Sequence, residues 1–281
     1  MKYLLLSILI FYLPIISCSQ ENNFNKIKEE YMMLINEKRW DEAEKYIEEI
    51  MKKYPSSPFR ENYYYNLDQI LSEHFNEINI AYRKTNPPDT NRVQKGVIIL
   101  ILSENLGSEA NRILNKEIFI SKNYIKEFPK GKYQNYFLST MLGAYRLLGN
   151  WTKAVKYANE FYDSDIIGQK LIGAWTLAMF FQSQSQYSKA IQYHLFIANN
   201  DKDIIEKIKH TYYISICYYE IGDLNEAKKY LKRVFELSKT TSSKTVENIA
   251  RITWDYIDKY EINSQIPKKH FVIFKGVNSW Y

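Results

Sequence analysis

Four short segments of one kind recur along this chain, and they limit its fold more than any other feature. They are Trp40-Asp41-Glu42-Ala43-Glu44-Lys45-Tyr46, Trp151-Thr152-Lys153-Ala154-Val155-Lys156-Tyr157, Tyr187-Ser188-Lys189-Ala190-Ile191-Gln192-Tyr193 and Leu224-Asn225-Glu226-Ala227-Lys228-Lys229-Tyr230. Each reads as a bulky residue, a helix N-cap former (Asp41, Thr152, Ser188 or Asn225), a charged residue, an alanine, and a tyrosine three places later. A cap of that type accepts the orphan amide hydrogens at a helix start, so each segment predicts the beginning of a helix. In the last copy Asp223 is an alternative cap to Asn225.

Beyond each alanine, apolar residues continue at helical spacing: Ile47 and Ile50, Ala158 and Phe161, Ile197, Leu231 and Val234. Nine residues before each alanine stands Leu34, Tyr145, Phe181 or Tyr218, separated from it by short polar turns such as Leu148-Gly149-Asn150 and Ile221-Gly222-Asp223. Two helices joined this way form a hairpin. The alanine is needed where the helices cross too closely for a larger side chain, and bulky partners fill the flanks. With only 9 Gly and 7 Pro, the chain also lacks the punctuation of a sheet-rich fold with many tight turns.

The pattern resembles the tetratricopeptide repeat, a helix pair of about 34 residues. Here Ala154, Ala190 and Ala227 are 36 and 37 residues apart, and the extra residues fit connections around Asp163–Gly168 and Asn199–Asp203. The first copy ends in Tyr54-Pro55, like the proline-terminated second helix of that family. Phe75-Asn76-Glu77-Ile78 and Gly107-Ser108-Glu109-Ala110 look like degenerate copies. The resemblance implies an all-α chain, an α-solenoid of about five to six tetratricopeptide-like hairpins over residues 25–262. Stacked repeats need an end unit that covers the last apolar face. A C-terminal capping helix is predicted at 244–260, with Val246, Ile249, Ile257 and Tyr260 turned inward and Asp255, Asp258 and Lys259 facing water. The aromatic tail at 263–281, from Phe271-Val272-Ile273-Phe274 to Trp280-Tyr281, is too short for a domain; it either folds back or docks a partner.

In the tetratricopeptide family the first helix of each hairpin lines a concave groove for protein segments. Alignment on the alanines places Tyr136, Arg146, Trp175, Met179, Gln182, Lys209, Tyr212 and Tyr219 on that surface. Tyrosine and tryptophan give large contact area at low entropic cost, which suits recognition; the competing reading is that these aromatics pack between repeats. Ser139, Trp175 and Tyr212 stand where the carboxylate-clamp subclass has polar or basic groups, so binding of cytosolic chaperones is not expected.

The first residues point to a membrane. Met1 and Lys2 precede an apolar run from Tyr3 to Ile16, which at 14 residues falls short of the ~20 a spanning helix needs. Its end, Ile15-Ile16-Ser17-Cys18, resembles the bacterial lipobox. The resemblance implies a signal peptide at 1–17, cleavage after Ser17, and a diacylated (palmitate-type) Cys18 beginning a lipidated tether at 18–24. Two acyl chains give stable anchoring. Ser19 rather than Asp follows the cysteine, which by resemblance to lipoproteins of two-membrane bacteria favours the outer membrane. An ordinary secretory leader is the alternative. Once Cys18 carries lipid, Cys217 has no disulfide partner and reads as a small buried hydrophobe.

No phosphate loop, dinucleotide fingerprint, nucleophile elbow or metal-binding helix motif occurs, so no catalytic residues and no cofactors are expected. His74 near Glu73 and Glu77, and His210 four residues after Glu206, offer two-ligand fragments at most, short of the three or four a zinc site takes. His194 falls where the other copies have Ile47, Ala158 and Leu231 and reads as a hydrogen-bonded core histidine. A formal charge of +6 from interleaved signs is a solvated surface, not a nucleic-acid stripe. The expected function is a membrane-anchored scaffold in the cell envelope that holds envelope or periplasmic proteins. The alternative is a small-ligand or glycan-capturing envelope lipoprotein.

Overall fold

The structure, a computed structural model, describes residues 24–85, 107–241 and 245–262, and every regular element in them is helical. Eleven helices occur among the described residues: α1 (24–36), α2 (Trp40–Lys53), α3 (Arg60–Thr85), α4 (Ser108–Glu127), α5 (Gln134–Leu147), α6 (Trp151–Tyr162), α7 (Ile167–Ser183), α8 (Tyr187–Asn200), α9 (Ile204–Ile221), α10 (Leu224–Ser238) and α11 (Thr245–Ile262). None of them is long and apolar enough to cross a membrane. The chain divides into two compact units, one containing residues up to Asn79 together with Asn123–Gln134, the other Ile80–Lys122 together with the residues from Asn135 onward.

In the first unit, α1 and α2 form the first hairpin, with Ala43 and Ile47 fully buried. Phe24, placed at the end of the expected tether, lies in α1, and its ring stacks on Phe59 at 4.5 Å. Pro55 follows the last residues of α2, as the repeat ending predicts. The start of α3 is held by a polar knot: the fully buried Tyr124 donates to Glu61 at 2.5 Å, the Tyr133 amide donates to the Tyr124 hydroxyl at 2.9 Å, and Arg60 pairs with Glu127.

In the second unit each helix from α6 to α11 packs on the next, and α9 also reaches α11, the next-but-one contact of an α-solenoid of helical hairpins. The diagnostic alanines Ala154, Ala190 and Ala227 are fully buried, as is Ala110 in α4. Leu142, Ala158 and Leu177 bring α5, α6 and α7 into one cluster. Connections fall at residues 163–166 and 201–203, where the longer spacing placed them. The capping helix α11 lies on α9 and α10 with Ala250, Thr253 and Ile257 buried, and Asp258 and Glu261 pair with Lys228. Phe75–Ile78, taken as a degenerate repeat start, lies inside the continuous helix α3, so no turn interrupts the chain there.

The helix starts correct the expected caps. Trp40, Trp151, Tyr187 and Leu224 are themselves the first helical residues, and the caps are Arg39, Asn150, Gln186 and Asp223. Asp41, Thr152, Ser188 and Asn225 therefore sit in the first turn. Only Asn150 and Asp223 cap with their side chains, accepting from the amides of Lys153 and Glu226. The deciding geometry lies one residue earlier. Lys38, Gly149, Ser185 and Gly222, each five residues before its alanine, have φ of 59°, 67°, 54° and 96°. In each turn that residue's amide donates back to Ile35, Arg146, Gln182 or Tyr219, and the following amide to Leu34, Tyr145, Phe181 or Tyr218. This paired pattern is the Schellman closure, which satisfies orphan carbonyls at a helix end and requires one left-handed residue.

Glycine suits that residue and other L-amino acids are strained in it by about 1–2 kcal/mol. Nothing lies within 4 Å of a Cβ built at Gly222. Gly222→Ala is therefore expected to cost about 1 kcal/mol through backbone strain alone, and Ser185→Gly to gain about 0.5–1 kcal/mol. Urea midpoints measured on both variants check this: shifts of the same sign would count against a shared left-handed requirement.

The repeated tyrosine also has a defined job. Tyr157, Tyr193 and Tyr230 stack nearly parallel on Tyr145, Phe181 and Tyr218, twelve residues earlier, with centroid distances of 5.8, 5.6 and 5.5 Å. Each second helix is thus clamped ring on ring to the first helix of its own hairpin. Lys122 and Lys153 lie over the Tyr145 ring at 5.6 and 5.7 Å, and Lys189 lies over Phe181 at 5.2 Å, so cations border these stacks.

Candidate functional site

The first helices α5, α7 and α9 present aligned positions to one side. Counting back from the alanines, Tyr136, Ile172 and Lys209 share one level; Ser139, Trp175 and Tyr212 the next; Gly143, Met179 and Ile216 the third; Arg146, Gln182 and Tyr219 the last. Of the residues expected to line a groove, Tyr136, Trp175 and Lys209 are partly exposed, whereas Arg146, Met179, Gln182, Tyr212 and Tyr219 are buried.

Several of the buried ones bridge from one hairpin to the next. The Arg146 guanidinium lies over the Trp175 ring at 4.4 Å and donates to the Met179 sulfur. Gln182 Nε2 donates to Cys217 Sγ at 3.1 Å, and Tyr212 shares a hydrogen bond of 3.0 Å with Thr253 on the capping helix. Burial raises the Tyr212 hydroxyl to about 12 and the Cys217 thiol to about 12, so both stay protonated and neutral. Cys217 is a free cysteine and a buried packing group, as expected. Lys209 donates to Glu206 at 2.7 Å, which leaves Tyr136 and Trp175 as the partly exposed aromatics of the face.

Arg146 is the electrostatic exception. It is 4% exposed, and burial lowers its guanidinium to about 10, with no anion among the described residues offsetting the lost hydration.

A second buried polar group was only half legible in the sequence. His194 Nδ1 and His210 Nδ1 are 2.8 Å apart, with both rings buried and Tyr213 against each at 5.3 and 5.5 Å. Burial and mutual repulsion depress His194, and burial takes His210 down to about 3, so both are neutral. His194 is the hydrogen-bonded core histidine its position suggested. Its partner was hidden because the two are sixteen residues apart on different helices. A signal did exist: in the preceding hairpin the same two levels carry Ala158 and Gly173, a small pair in place of the histidines. There a Cβ on Gly173 would stand 2.4 Å from the Ala158 carbonyl oxygen and 2.7 Å from the Tyr162 amide nitrogen. The other expected fragment, His74 with Glu77, packs instead on Trp40, whose ring stacks on His74 at 5.5 Å and whose Nε1 donates to Glu77 at 2.7 Å.

The hairpin of α9 and α10 carries the family match. Residues 212–238 match the tetratricopeptide repeat family. That repeat is a protein-interaction unit, and the match covers most of the hairpin that bears Tyr212, Tyr219 and Ala227. The tetratricopeptide assignment agrees with the all-helical hairpin succession of the second unit. No curated protein matches the chain. Cys18, the leader and the tail at 263–281 lie outside the described residues.

Proposed function

We propose that this protein is a membrane-anchored envelope lipoprotein whose tetratricopeptide-type hairpins hold segments of other envelope proteins on the first-helix face. The observation that carries the reading is the pair Tyr136 and Trp175, partly exposed aromatics on the first helices of successive hairpins, in a chain with a tetratricopeptide repeat match. Exposed tyrosine and tryptophan on a rigid support are the residues that protein interfaces favour. The deeper members of the same face tie hairpin to hairpin and so fix where those aromatics stand. The anchor is the proposed lipid on Cys18, and Ser19 to Asn23 give it a reach of at most about 17 Å to the first helix.

Two measurements test the two halves separately. Cells fed labelled palmitate should label the wild-type chain and leave Cys18→Ala unlabelled and released from membranes; labelling of the variant, or none of either, removes the anchor. A photocrosslinking residue at Tyr136 or Lys209 should give discrete protein adducts in intact envelopes, and the same residue at Ile252, 62% exposed on the capping helix, should not. Identical adducts at all three positions would place the partner somewhere other than the first-helix face.

A further inference from the structure

The two ends of the first unit differ in charge. Where α2 turns into α3, Arg60 gathers three segments: it donates to the Met51 carbonyl of α2 at 3.0 Å and pairs with Glu127 at the end of α4. The α4–α5 connection lies beside it, since the Lys132 amide donates to Glu61 at 3.0 Å and the Lys132 ammonium to Asn62 at 3.1 Å. Four exposed lysines, Lys52, Lys53, Lys130 and Lys132, are thereby collected at this end. None of them pairs with a carboxylate among the described residues. Glu61 and Glu127 are already engaged by Tyr124, the Lys132 amide, Arg60 and Tyr64. At the other end of α1 and α2, about 20 Å away along α1, the charges cancel: Lys38 pairs with Glu77, and Arg39 with Glu37 and Glu42 at 2.7 and 2.6 Å.

The lysine-rich end is also aromatic. Its α2–α3 turn presents a depression bounded by Tyr54, Pro55, Pro58, Phe59 and Tyr63, with both prolines exposed. Lys53 and Lys132 lie over the Tyr54 and Tyr133 rings at 5.3 and 4.7 Å. Phe24 joins α1 to this turn, stacked on Phe59 at 4.5 Å and 5.8 Å from Tyr63. Tyrosine rings favour the boundary between headgroups and acyl chains, and each lysine beside an anionic bilayer strengthens association about fivefold. Only Ser19 to Asn23, at most about 17 Å of chain, separate the proposed lipid on Cys18 from Phe24. That length keeps this end within reach of the bilayer surface.

We propose that the α2–α3 end of the first unit rests on an anionic phospholipid surface, with Lys52, Lys53, Lys130 and Lys132 at the headgroup phosphates and the Tyr54–Phe59 turn at the interface. The inference rests on the Cys18 anchor and adds the surface by which the anchored chain lies on its membrane.

The test uses the full lipid-bearing chain in vesicles of phosphatidylcholine, or of an equal mixture with phosphatidylglycerol. A nitroxide is placed on Ser56→Cys in the turn or, at the ion-paired end, on Glu37→Cys. With Cys18 lipidated and Cys217 buried, the introduced thiol takes the label. Collisions with a water-soluble nickel chelate report how wet each label is. In the mixed vesicles the label at position 56 is expected to be protected and the one at position 37 wet; in phosphatidylcholine both are wet. Salt at 1 M, where the Debye length falls to about 3 Å, should undo the protection. Lys52→Gln with Lys53→Gln should lower the ratio of docked to free chain at least about tenfold, given roughly fivefold per lysine. Lys130→Gln with Lys132→Gln should do the same from a separate segment, so the result does not depend on one variant. Equally wet labels in the mixed vesicles, or protection that survives both lysine pairs, overturns the inference and leaves the anchor standing. Protection in whole envelopes but not in protein-free vesicles assigns this end to a protein partner and overturns it too. If the purified chain carries no lipid and stays free of both vesicle types, the anchor reading fails and takes the inference with it.

Discussion

Acidifying the protein from pH 7 to pH 5 is expected to remove on the order of 4 kcal/mol of stability, most of it through the pair His194 and His210. Both imidazoles are neutral in the folded chain, with His210 near 3 and His194 also well below its ordinary value. Once unfolded, each titrates near 6.5, so below that pH the unfolded chain binds protons that the folded one refuses. Stability is complete above pH 6.5 and declines as pH falls toward 3, by about 1.4 kcal/mol per pH unit for each histidine kept neutral. Glu206, whose carboxylate is 3.9 Å from His210 Nε2, softens the effect, but Lys209 already holds that carboxylate; Tyr213 is uncharged in this range. The carboxylates held low by partners, such as Glu77 and Glu127, lose their contribution only below their ordinary range near 4.5. The window between pH 6.5 and 5 therefore belongs to the histidines. Urea unfolding at the two pH values measures the loss. His194→Leu, which installs the residue that Leu231 provides at the same level of the next hairpin, should cut it by at least half; an unchanged loss in that variant would assign the acid sensitivity elsewhere.

The second large effect is expected from one added methyl group. Gly173→Ala puts a carbon 2.4 Å from the Ala158 carbonyl oxygen and 2.7 Å from the Tyr162 amide nitrogen. Both are backbone atoms of α6, so no side-chain rotation relieves the overlap. The two helices must separate, which loosens Leu142, Ala158 and Leu177 between them. Overpacking of this kind costs about 1–3 kcal/mol, and the rigid obstacle places Gly173→Ala at the upper end. In thermal unfolding that corresponds to a fall of roughly 6–12 °C. Gly143→Ala, with its nearest described neighbour 3.9 Å away, is the control and should change little. Equal changes from both substitutions would mean that the α6–α7 crossing does not constrain Gly173, since helix propensity alone favours alanine at either position.

The fold was legible because its strongest constraint is local and repeated. An alanine that must fit a helix crossing cannot be replaced silently, and Ala43, Ala154, Ala190 and Ala227 stand in the same place four times over. The caps were misplaced by two residues because Asp41, Thr152, Ser188 and Asn225 have the right chemistry for a role that turn geometry assigns elsewhere. Lys38 and Ser185 hold left-handed positions that no residue preference announces, and only their equivalence with Gly149 and Gly222 reveals them. Phe75–Ile78 resembled a helix start because a short apolar-acidic run fits both the first turn of a repeat helix and the middle of a long one. Alignment alone assigned Arg146, Met179, Gln182, Tyr212 and Tyr219 to the first-helix face but could not give their depth. Depth depends on which neighbouring hairpin each one reaches, and Arg146 reaches Trp175 through a guanidinium that sequence reads as solvated.

The ring-on-ring clamps bear on how the chain acquires its structure. Each of the three closes within a single hairpin over a dozen residues, beside a turn whose two amide bonds are equally local. Ordering such a unit asks for little loop-closure entropy, so a hairpin can form before its neighbours exist and then serve as the template on which the next one condenses. A chain assembled in this way can begin acquiring native contacts during its own synthesis, hairpin by hairpin, without waiting for distant segments to meet.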